Sequence, residues 1–362
     1  RDSRFTPDGS QEEPELSDAR FDPPVAAILG ASSAVGLSIQ REDLLQRAVS
    51  DFHRIAGDDG LESVAKAHRA MRIVERLDDP ELNGLSVQLG SALIDGRDTP
   101  DFQFGLSQEI DARRAKARDL LFSGRADEAI ESMKAEISRI DAMFAHIDGV
   151  PRYFNSYAER VVYNRLFSTP HERTVLIPDN LFYAHMELAD VLSQLKGAKA
   201  SLEHLNAMVS YAPAYPLSHM KLAVQLARDE DWASARAACL NALRVALDRD
   251  DAAFAYYRFA YAEWMRDEFD VAAASYILSN HIAPGQTGAL PAELQELIGR
   301  ADSQCIAIPR TVEDAQRVLA EHGLPVWPHT EVARIVRDAA PVSCHNAMLG
   351  RARTWRCPTP AP

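Results

Sequence analysis

A pattern of small and large side chains recurs in the middle of the chain, with three members that follow the first at offsets of 9, 12 and 16. Its three occurrences are Ala189, Ala198, Ser201 and Leu205; Ala223, Trp232, Ala235 and Cys239; and Ala260, Phe269, Ala272 and Tyr276. The first two occurrences are about 34 residues apart, a period typical of repeats built from two helices. Apolar residues follow helical periodicity within each occurrence, which predicts a pair of helices per repeat. Because antiparallel helices approach closely only where their contacting residues are small, this pattern limits the fold more than any other feature.

The repeated pattern predicts an all-α fold in which helix pairs stack into a solenoid. The clear repeats cover residues 182–213, 217–248 and 253–284. A weaker copy with the same offsets lies at residues 111–146, and its members are Ala117, Ala126, Ala129 and Met133. Residues 291–305 follow the last repeat with one apolar face. We expect them to form a capping helix, because a stack of helix pairs must end in a unit with a polar outer face.

At these positions the chain resembles the tetratricopeptide repeat (TPR) family, over about residues 111–146 and 182–284. The proline that closes repeats in the family is present as Pro213 and Pro284, whereas Leu247 stands at the corresponding place between them. The glycine of the family's first helix is absent. The resemblance implies an α-α superhelix with a right-handed turn. It also implies that the first helices of the repeats line a concave groove that binds peptides or protein segments.

The resemblance assigns eleven side chains to the groove. They are Arg114 and Arg118 in the weaker copy, and Tyr183, Met186, Asp190, Met220, Arg228, Phe254, Tyr257, Tyr261 and Trp264 in the clear repeats. Family members that bind a terminal carboxylate use Lys and Asn in this groove, but Met186, Asp190 and Met220 occupy such places here. An apolar or amphipathic segment is therefore the partner that this groove favours.

Two sets of groove residues have a second interpretation. Phe254, Tyr257, Tyr261 and Trp264 follow one another at steps of 3, 4 and 3, so they form one stripe of a helix. Such a stripe either binds a partner or is buried by the C-terminal cap or by an inserted segment. Arg114 and Arg118, one helical turn apart, either hold a carboxylate or belong to a solvated face.

The remaining sequence divides the chain into four regions. These are an acidic, flexible leader (1–24), an N-terminal helical module (25–100), the solenoid with its capping helix (101–305) and an inserted segment (150–180), and short helices with a mobile tail (306–362). Within the N-terminal module, residues 30–36 read Gly-Ala-Ser-Ser-Ala-Val-Gly and look like the phosphate-binding turn of short-chain dehydrogenases. That turn requires parallel strands on both sides. None is predicted after it, so we interpret the segment as the start of a helix or loop.

Composition excludes several classes of function. The chain has 39 Lys and Arg against 53 Asp and Glu, a net charge of −14, which disfavours binding to nucleic acid or to an anionic membrane surface. The longest apolar stretch, residues 25–39, is too short to span a bilayer. Four cysteines without a CxxC pair indicate free thiols in a reducing compartment, so we expect a cytoplasmic protein.

No sequence motif points to catalysis, a metal or a cofactor. His185 and His219 occupy equivalent positions in adjacent repeats, but neither has ligand-spaced partners, and we interpret both as packing residues. We therefore expect no cofactor and a non-enzymatic scaffold that binds a protein or peptide segment. Three alternatives remain: a self-assembling structural protein with its aromatic face in an oligomer interface, a DNA-binding regulator, and an enzyme whose site is assembled from scattered residues.

Overall fold

The computed structural model describes residues 16–345, and the predicted all-α class is confirmed over this range. In chain order the helices and strands are α1 (Pro23–Leu29), a 3₁₀ helix (Ala34–Leu37), α2 (Arg41–Ala56), α3 (Ser63–Leu77), α4 (Pro80–Asn83), α5 (Ser86–Ile94), α6 (Leu106–Phe122), α7 (Ala126–Ala145), β1 (Val150–Arg152), α8 (Tyr157–Leu166), β2 (Thr174–Leu176), α9 (Asp179–Leu195), α10 (Ala198–Tyr211), α11 (Pro216–Arg228), α12 (Trp232–Val245), α13 (Arg249–Met265), α14 (Phe269–Ile282), α15 (Leu290–Ser303), α16 (Val312–Glu321) and α17 (Thr330–His345).

Four antiparallel helix pairs form a repeat-like solenoid: α6 with α7, α9 with α10, α11 with α12, and α13 with α14. Each pair packs on the next through its second helix and the first helix of its neighbour. The small residues that begin the pattern, Ala117, Ala189, Ala223 and Ala260, are all buried. Their small side chains allow the helices to approach closely, which is the physical basis of the repeat.

A left-handed residue closes the turn inside each pair. It is a glycine in the first two pairs, Gly124 with φ 73° and Gly197 with φ 97°. In the last two pairs it is Glu230, with φ 60°, and Asp267, with φ 62°. A side chain with a Cβ atom is strained at such angles, so these two turns carry a conformational cost that glycine would not.

The N-terminal module has its own core, formed by α2, α3 and α5. The end of the predicted flexible leader belongs to this core, which corrects that prediction for the residues from Leu16 onward. Leu16 is fully buried, the Ser17 amide donates to Asp51 at 2.7 Å, and Asp18 pairs with Arg76 at 2.8 Å. Backbone hydrogen bonds add to these contacts, with the Phe21 amide donating to the Ser32 carbonyl and the Ala34 amide to the Ala19 carbonyl, both at 2.9 Å. Residues 1–15 of the predicted leader lie outside the described part of the chain.

The inserted segment contains structure that periodicity did not predict. Strands β1 and β2 pair in parallel on either side of α8. Helix α8 begins with reciprocal capping: Ser156 accepts from the Glu159 amide at 3.2 Å, and Glu159 accepts from the Asn155 amide at 2.9 Å. The strand pair fixes the two ends of the insertion next to each other.

The first, inserted and last helices share one small core. Leu29 of α1, Val161 of α8, and Ile335 and Val336 of α17 are buried together in it. The chain therefore returns after the solenoid to pack beside its own N-terminal part. The predicted mobile tail from Asn346 onward lies outside the described residues.

Two helices cover the last pair of the solenoid. Helix α15 packs over α13 and α14, and α16 packs on α14. The loop after α16 is fixed by Trp327, whose indole Nε1 donates to the Ala246 carbonyl and whose backbone amide donates to the Tyr256 hydroxyl, both at 2.9 Å. None of the helices within residues 16–345 combines the length and the apolar character needed to cross a membrane.

Candidate functional site

The predicted aromatic stripe on α13 packs against the chain's own capping helix. Tyr257 and Trp264 are only 9% and 5% exposed and share a core with Leu297 of α15. The Tyr257 hydroxyl donates to Glu293 at 2.7 Å, and the Arg300 guanidinium lies 5.4 Å above the Trp264 ring. Burial, together with the hydrogen bond to the Glu293 carboxylate, raises the pKa of Tyr257 to about 12. These contacts favour burial by the cap over partner binding.

The other two members of the stripe, Phe254 and Tyr261, are half-buried. Phe254 packs at the edge of the core between the last two pairs. The Tyr261 ring meets Trp232 edge to face, with centroids 5.6 Å apart. Neither residue lies on an open surface of the kind that the resemblance implies.

The predicted groove residues of the middle repeats are also largely occupied by internal contacts. Tyr183 meets Tyr153 of the inserted segment, with 3.1 Å between the hydroxyl oxygens. Met186 is half-buried at the edge of the core, and Met220 is buried. Arg228 is exposed, and its Nη1 donates to Gln225 of the same helix at 3.0 Å. Tyr183 and Met220 are thus engaged in internal contacts, whereas Met186 and Arg228 keep part of their surface exposed.

An open apolar pocket remains between the first two helix pairs. It has a volume of about 280 Å³ and includes three of the predicted groove residues, Arg114, Arg118 and Asp190. Half-buried Leu121 of α6 and Val191 of α9 line it as well. We refer to this site as the α6–α9 pocket.

The charges at the rim of the α6–α9 pocket are compensated, with one exception. Arg114 donates from Nε to Glu187 at 3.0 Å and from Nη1 to Asp111 at 3.0 Å, and these bonds, that to Glu187 foremost, raise its pKa. Lys221 donates to both carboxylate oxygens of Asp190 at 3.0 Å. Arg118 is exposed and, within residues 16–345, makes no ion pair; its Nε donates a weak 3.4 Å hydrogen bond to the Arg114 carbonyl.

Two exposed apolar side chains extend the α6–α9 pocket toward the ends of its helices. Phe122 is 90% exposed and stands one turn after Arg118 on α6. Leu195 is 53% exposed and stands one turn after Val191 on α9. Residues four apart share a helix face, so Phe122 and Leu195 lie on the faces of α6 and α9 that also carry the pocket residues Arg118 and Val191. The sequence alone does not single out Phe122, Leu195, Leu121 or Val191, because burial and exposure on these faces depend on how the pairs stack.

The two repeat histidines make separate internal contacts. His185 is buried, with Nδ1 3.0 Å from Nδ1 of His204 and Nε2 3.0 Å from Asp141. His219 is buried and donates from Nε2 to the Pro213 carbonyl at 2.7 Å. Within residues 16–345, no three His, Cys, Asp or Glu side chains are grouped as metal ligands would be.

A second opening, which the sequence did not reveal, lies between the N-terminal module and the inserted segment. It is a cleft of about 850 Å³. Residues 30–36, rejected above as a nucleotide-binding turn, form one wall as a loop and 3₁₀ helix, and α3, α8 and residues 168–176 form the others. Its arginines come from distant segments and share no motif spacing, so no sequence signal could have grouped them.

Comparison with protein-family models and with curated proteins found no match for this chain.

Proposed function

We propose that this protein is a non-enzymatic interaction module that binds an amphipathic segment of another protein in the α6–α9 pocket. The single observation that carries the proposal is the open apolar pocket between the first two helix pairs, continued by exposed Phe122 and Leu195. Exposed aromatic side chains next to an apolar pocket are typical of protein interfaces. A TPR-like superhelix and a cytoplasmic location are part of this proposal. The latter is supported by Cys239 and Cys305, which are free thiols.

The charge at the rim identifies the chemistry of the partner. Arg114 and Asp190 are already paired, so Arg118 is the rim charge left for a ligand. We therefore expect the partner segment to insert a large apolar side chain between Leu121 and Val191 and to present an Asp or Glu to Arg118. An acidic side chain and apolar anchors on one face define an amphipathic helix as the ligand.

Peptide selection against the full chain tests this function. Peptides of random sequence selected on the wild type are expected to share apolar anchors and an acidic residue at helical spacing. Phe122→Ala is expected to weaken their binding about tenfold, which corresponds to about 1.4 kcal/mol of lost apolar contact. Val87→Ala is the matched control, because Val87 is similarly exposed but lies on the N-terminal module. Binding titrations by fluorescence anisotropy measure both changes.

A charge exchange tests the role of Arg118. Arg118→Glu is expected to weaken binding of a selected acidic peptide, and replacement of the peptide's acidic residue by Lys is expected to restore it. Peptides that bind wild type, Arg118→Glu and Phe122→Ala with the same affinity would overturn the assignment of the pocket.

Self-association through the same exposed face is the competing function. It predicts that sedimentation of the wild type changes with concentration and that Phe122→Ala removes this dependence. A monomer at all concentrations, together with selected peptide binding, favours the interaction module.

A further inference from the structure

The cleft between the N-terminal module and the inserted segment is rich in arginine. Its walls include five arginines and three carboxylates in a chain whose net charge is −14. The arginines are Arg41, Arg72, Arg76, Arg160 and Arg173, and the carboxylates are Glu75, Asp79 and Glu172. Arginines favour an anionic ligand only where carboxylates of the protein do not already pair with them, so the partners of each arginine decide the case.

Two of these arginines are neutralised by the fold. Arg41 is buried and donates to both carboxylate oxygens of Asp79, at 2.6 and 3.0 Å, and to Glu81 at 2.7 Å. Arg76 donates to Asp18 at 2.8 Å. Both have structural partners, so the case for a ligand depends on the other cations.

Arg160 is a buried cation without a carboxylate partner in the described part of the chain. It is 5% exposed, donates from Nε to the Gly36 carbonyl at 2.9 Å, and lies 4.6 Å above the ring of Phe154. Its Nη1 has no hydrogen-bond partner among residues 16–345. Burial lowers the pKa of Arg160 to about 10, so it remains charged at neutral pH. A buried charge left uncompensated is costly, and a bound anion would offset that cost.

Glu172 is the carboxylate of the cleft that would serve as counter-ion to Arg160, but it forms its hydrogen bonds with other groups. Glu172 accepts hydrogen bonds from the Tyr163 hydroxyl, from the Thr174 hydroxyl at 3.2 Å and from the Thr169 amide at 3.2 Å. Its oxygens are thus held by neutral donors, and it makes no ion pair with Arg160. Glu172 still weakens the positive field of the cleft, so the ligand must carry enough charge to compete with it.

A second arginine stands at the cleft with its charge largely open to solvent. The Arg173 side chain is 45% exposed and lies 3.7 Å from Asp78, a distance too long for a hydrogen bond. Hydroxyl groups of Ser32, Ser38 and Thr169 belong to the same walls. Guanidinium groups and hydroxyls together suit the several acceptor oxygens of a phosphate group.

We propose that this cleft binds a small molecule carrying at least one phosphate group, with Arg160 as the buried anchor and Arg173 as the second cation. The volume of about 850 Å³ exceeds what one phosphate ion needs and lies within the range of sites for whole small molecules. The ligand is therefore an organic phosphate or diphosphate whose remaining part fills the space beside residues 30–36. This site is separate from the α6–α9 pocket and does not depend on the function proposed for it.

Calorimetric titration of the full chain at constant ionic strength tests the proposal. The probes are inorganic phosphate, pyrophosphate, ADP and, as a carboxylate comparison, succinate. Saturable binding of one molecule per chain is expected for pyrophosphate or ADP, with weaker binding of phosphate and succinate. Tighter binding of ADP than of pyrophosphate identifies a nucleotide-sized ligand, whereas the reverse order identifies the phosphate groups as the whole determinant.

Three variants and one control variant test whether the phosphate probes bind in this cleft. Arg160→Met is expected to weaken it at least tenfold and Arg173→Gln about threefold. Arg317→Gln, an exposed arginine on α16, is the control and is expected to leave it unchanged. Ser32→Glu adds a carboxylate to an exposed part of the cleft wall without removing a buried contact, so it tests the site even where Arg160→Met fails to fold.

Four results would overturn the proposal. They are the absence of saturable binding by the wild type to every phosphate probe, undiminished binding by a folded Arg160→Met, undiminished binding by Ser32→Glu, and an equal loss in Arg317→Gln.

Discussion

At the scale of single residues, Glu159 shows how burial changes the chemistry of a side chain. It is almost fully buried at the start of α8, where its carboxylate accepts the Asn155 amide. Burial, with a smaller contribution from the negative charge of Asp251, raises its pKa to about 8. Glu159 is therefore protonated in the folded chain at neutral pH, whereas in the unfolded chain it is ionised above pH 4.5.

This difference predicts a pH dependence of stability. Between pH 4.5 and about 8 the folded state binds the proton more tightly, so the free energy of unfolding falls as pH rises. Glu159→Gln removes the contribution of Glu159 to this slope, whereas Asp179 and Asp251, whose pKa values burial raises to about 6, retain theirs. The variant is expected to be more stable than wild type at pH 8, by about 1–4 kcal/mol, since each pKa unit corresponds to about 1.4 kcal/mol. Urea unfolding of both proteins at pH 5 and pH 8 measures this difference in the free energy of unfolding.

Glu321→Gln, at an exposed position on α16, is the control for the pH experiment. It is expected to retain the wild-type slope of stability against pH. The same slope in Glu159→Gln would contradict the assignment of a neutral carboxyl group at Glu159.

At the scale of secondary-structure elements, polar contacts as well as apolar packing attach the capping helix α15. Glu293 accepts the Tyr257 hydroxyl at 2.7 Å and the Tyr276 hydroxyl at 2.8 Å, so one carboxylate joins α15 to both helices of the last pair. Leu297 packs into the same core. This attachment keeps Tyr257 and Trp264 of the aromatic stripe covered.

Loss of this carboxylate is expected to loosen the cap. Glu293→Ala leaves two largely buried hydroxyl groups without their acceptor, at a cost of about 1–3 kcal/mol in the free energy of unfolding. Glu296→Ala, on the exposed face of α15, is the matched control and is expected to change it by less than about 0.5 kcal/mol. In a double-mutant cycle, Tyr257→Phe and Glu293→Ala should be less than additive; full additivity would mean that the bond contributes nothing.

At the turns inside the helix pairs, a substitution is expected to raise the free energy of unfolding rather than lower it. Glu230 holds φ at 60°, so Glu230→Gly is expected to relieve strain and raise the free energy of unfolding by about 0.5–1 kcal/mol. Asp229, the preceding residue, has φ −85°, so Asp229→Gly relieves no strain and is expected to lower the free energy of unfolding. Chemical denaturation of both variants should therefore give shifts in different directions, and a loss of stability in Glu230→Gly would exclude strain at this turn.

At the scale of the whole molecule, the solenoid was predictable from the sequence, but the contacts between segments far apart in the chain were not. The pairing of small residues such as Ala223 and Ala235 is local, so their fixed short spacing is enough to reveal it. The bond from Arg160 to Gly36 joins residues 124 positions apart, and no periodic pattern records such a contact. The cleft arises from contacts of this kind, whereas the cover over Tyr257 matches one of the two interpretations of the aromatic stripe, burial by the C-terminal cap. Of the predicted groove, Arg114, Arg118 and Asp190 meet in one pocket.

The shared core of α1, α8 and α17 affects the order in which parts of this molecule unfold. A linear stack of helix pairs has two terminal units that each touch a single neighbour, and melting can start at either of them and spread inward. Here the first and last described helices pack on the same inserted helix, so the C-terminal end of the described chain is attached to the segment between the first two helix pairs. For the pairs from α9 to α14, we therefore expect unfolding under heat or denaturant to begin with loss of the α1–α8–α17 core.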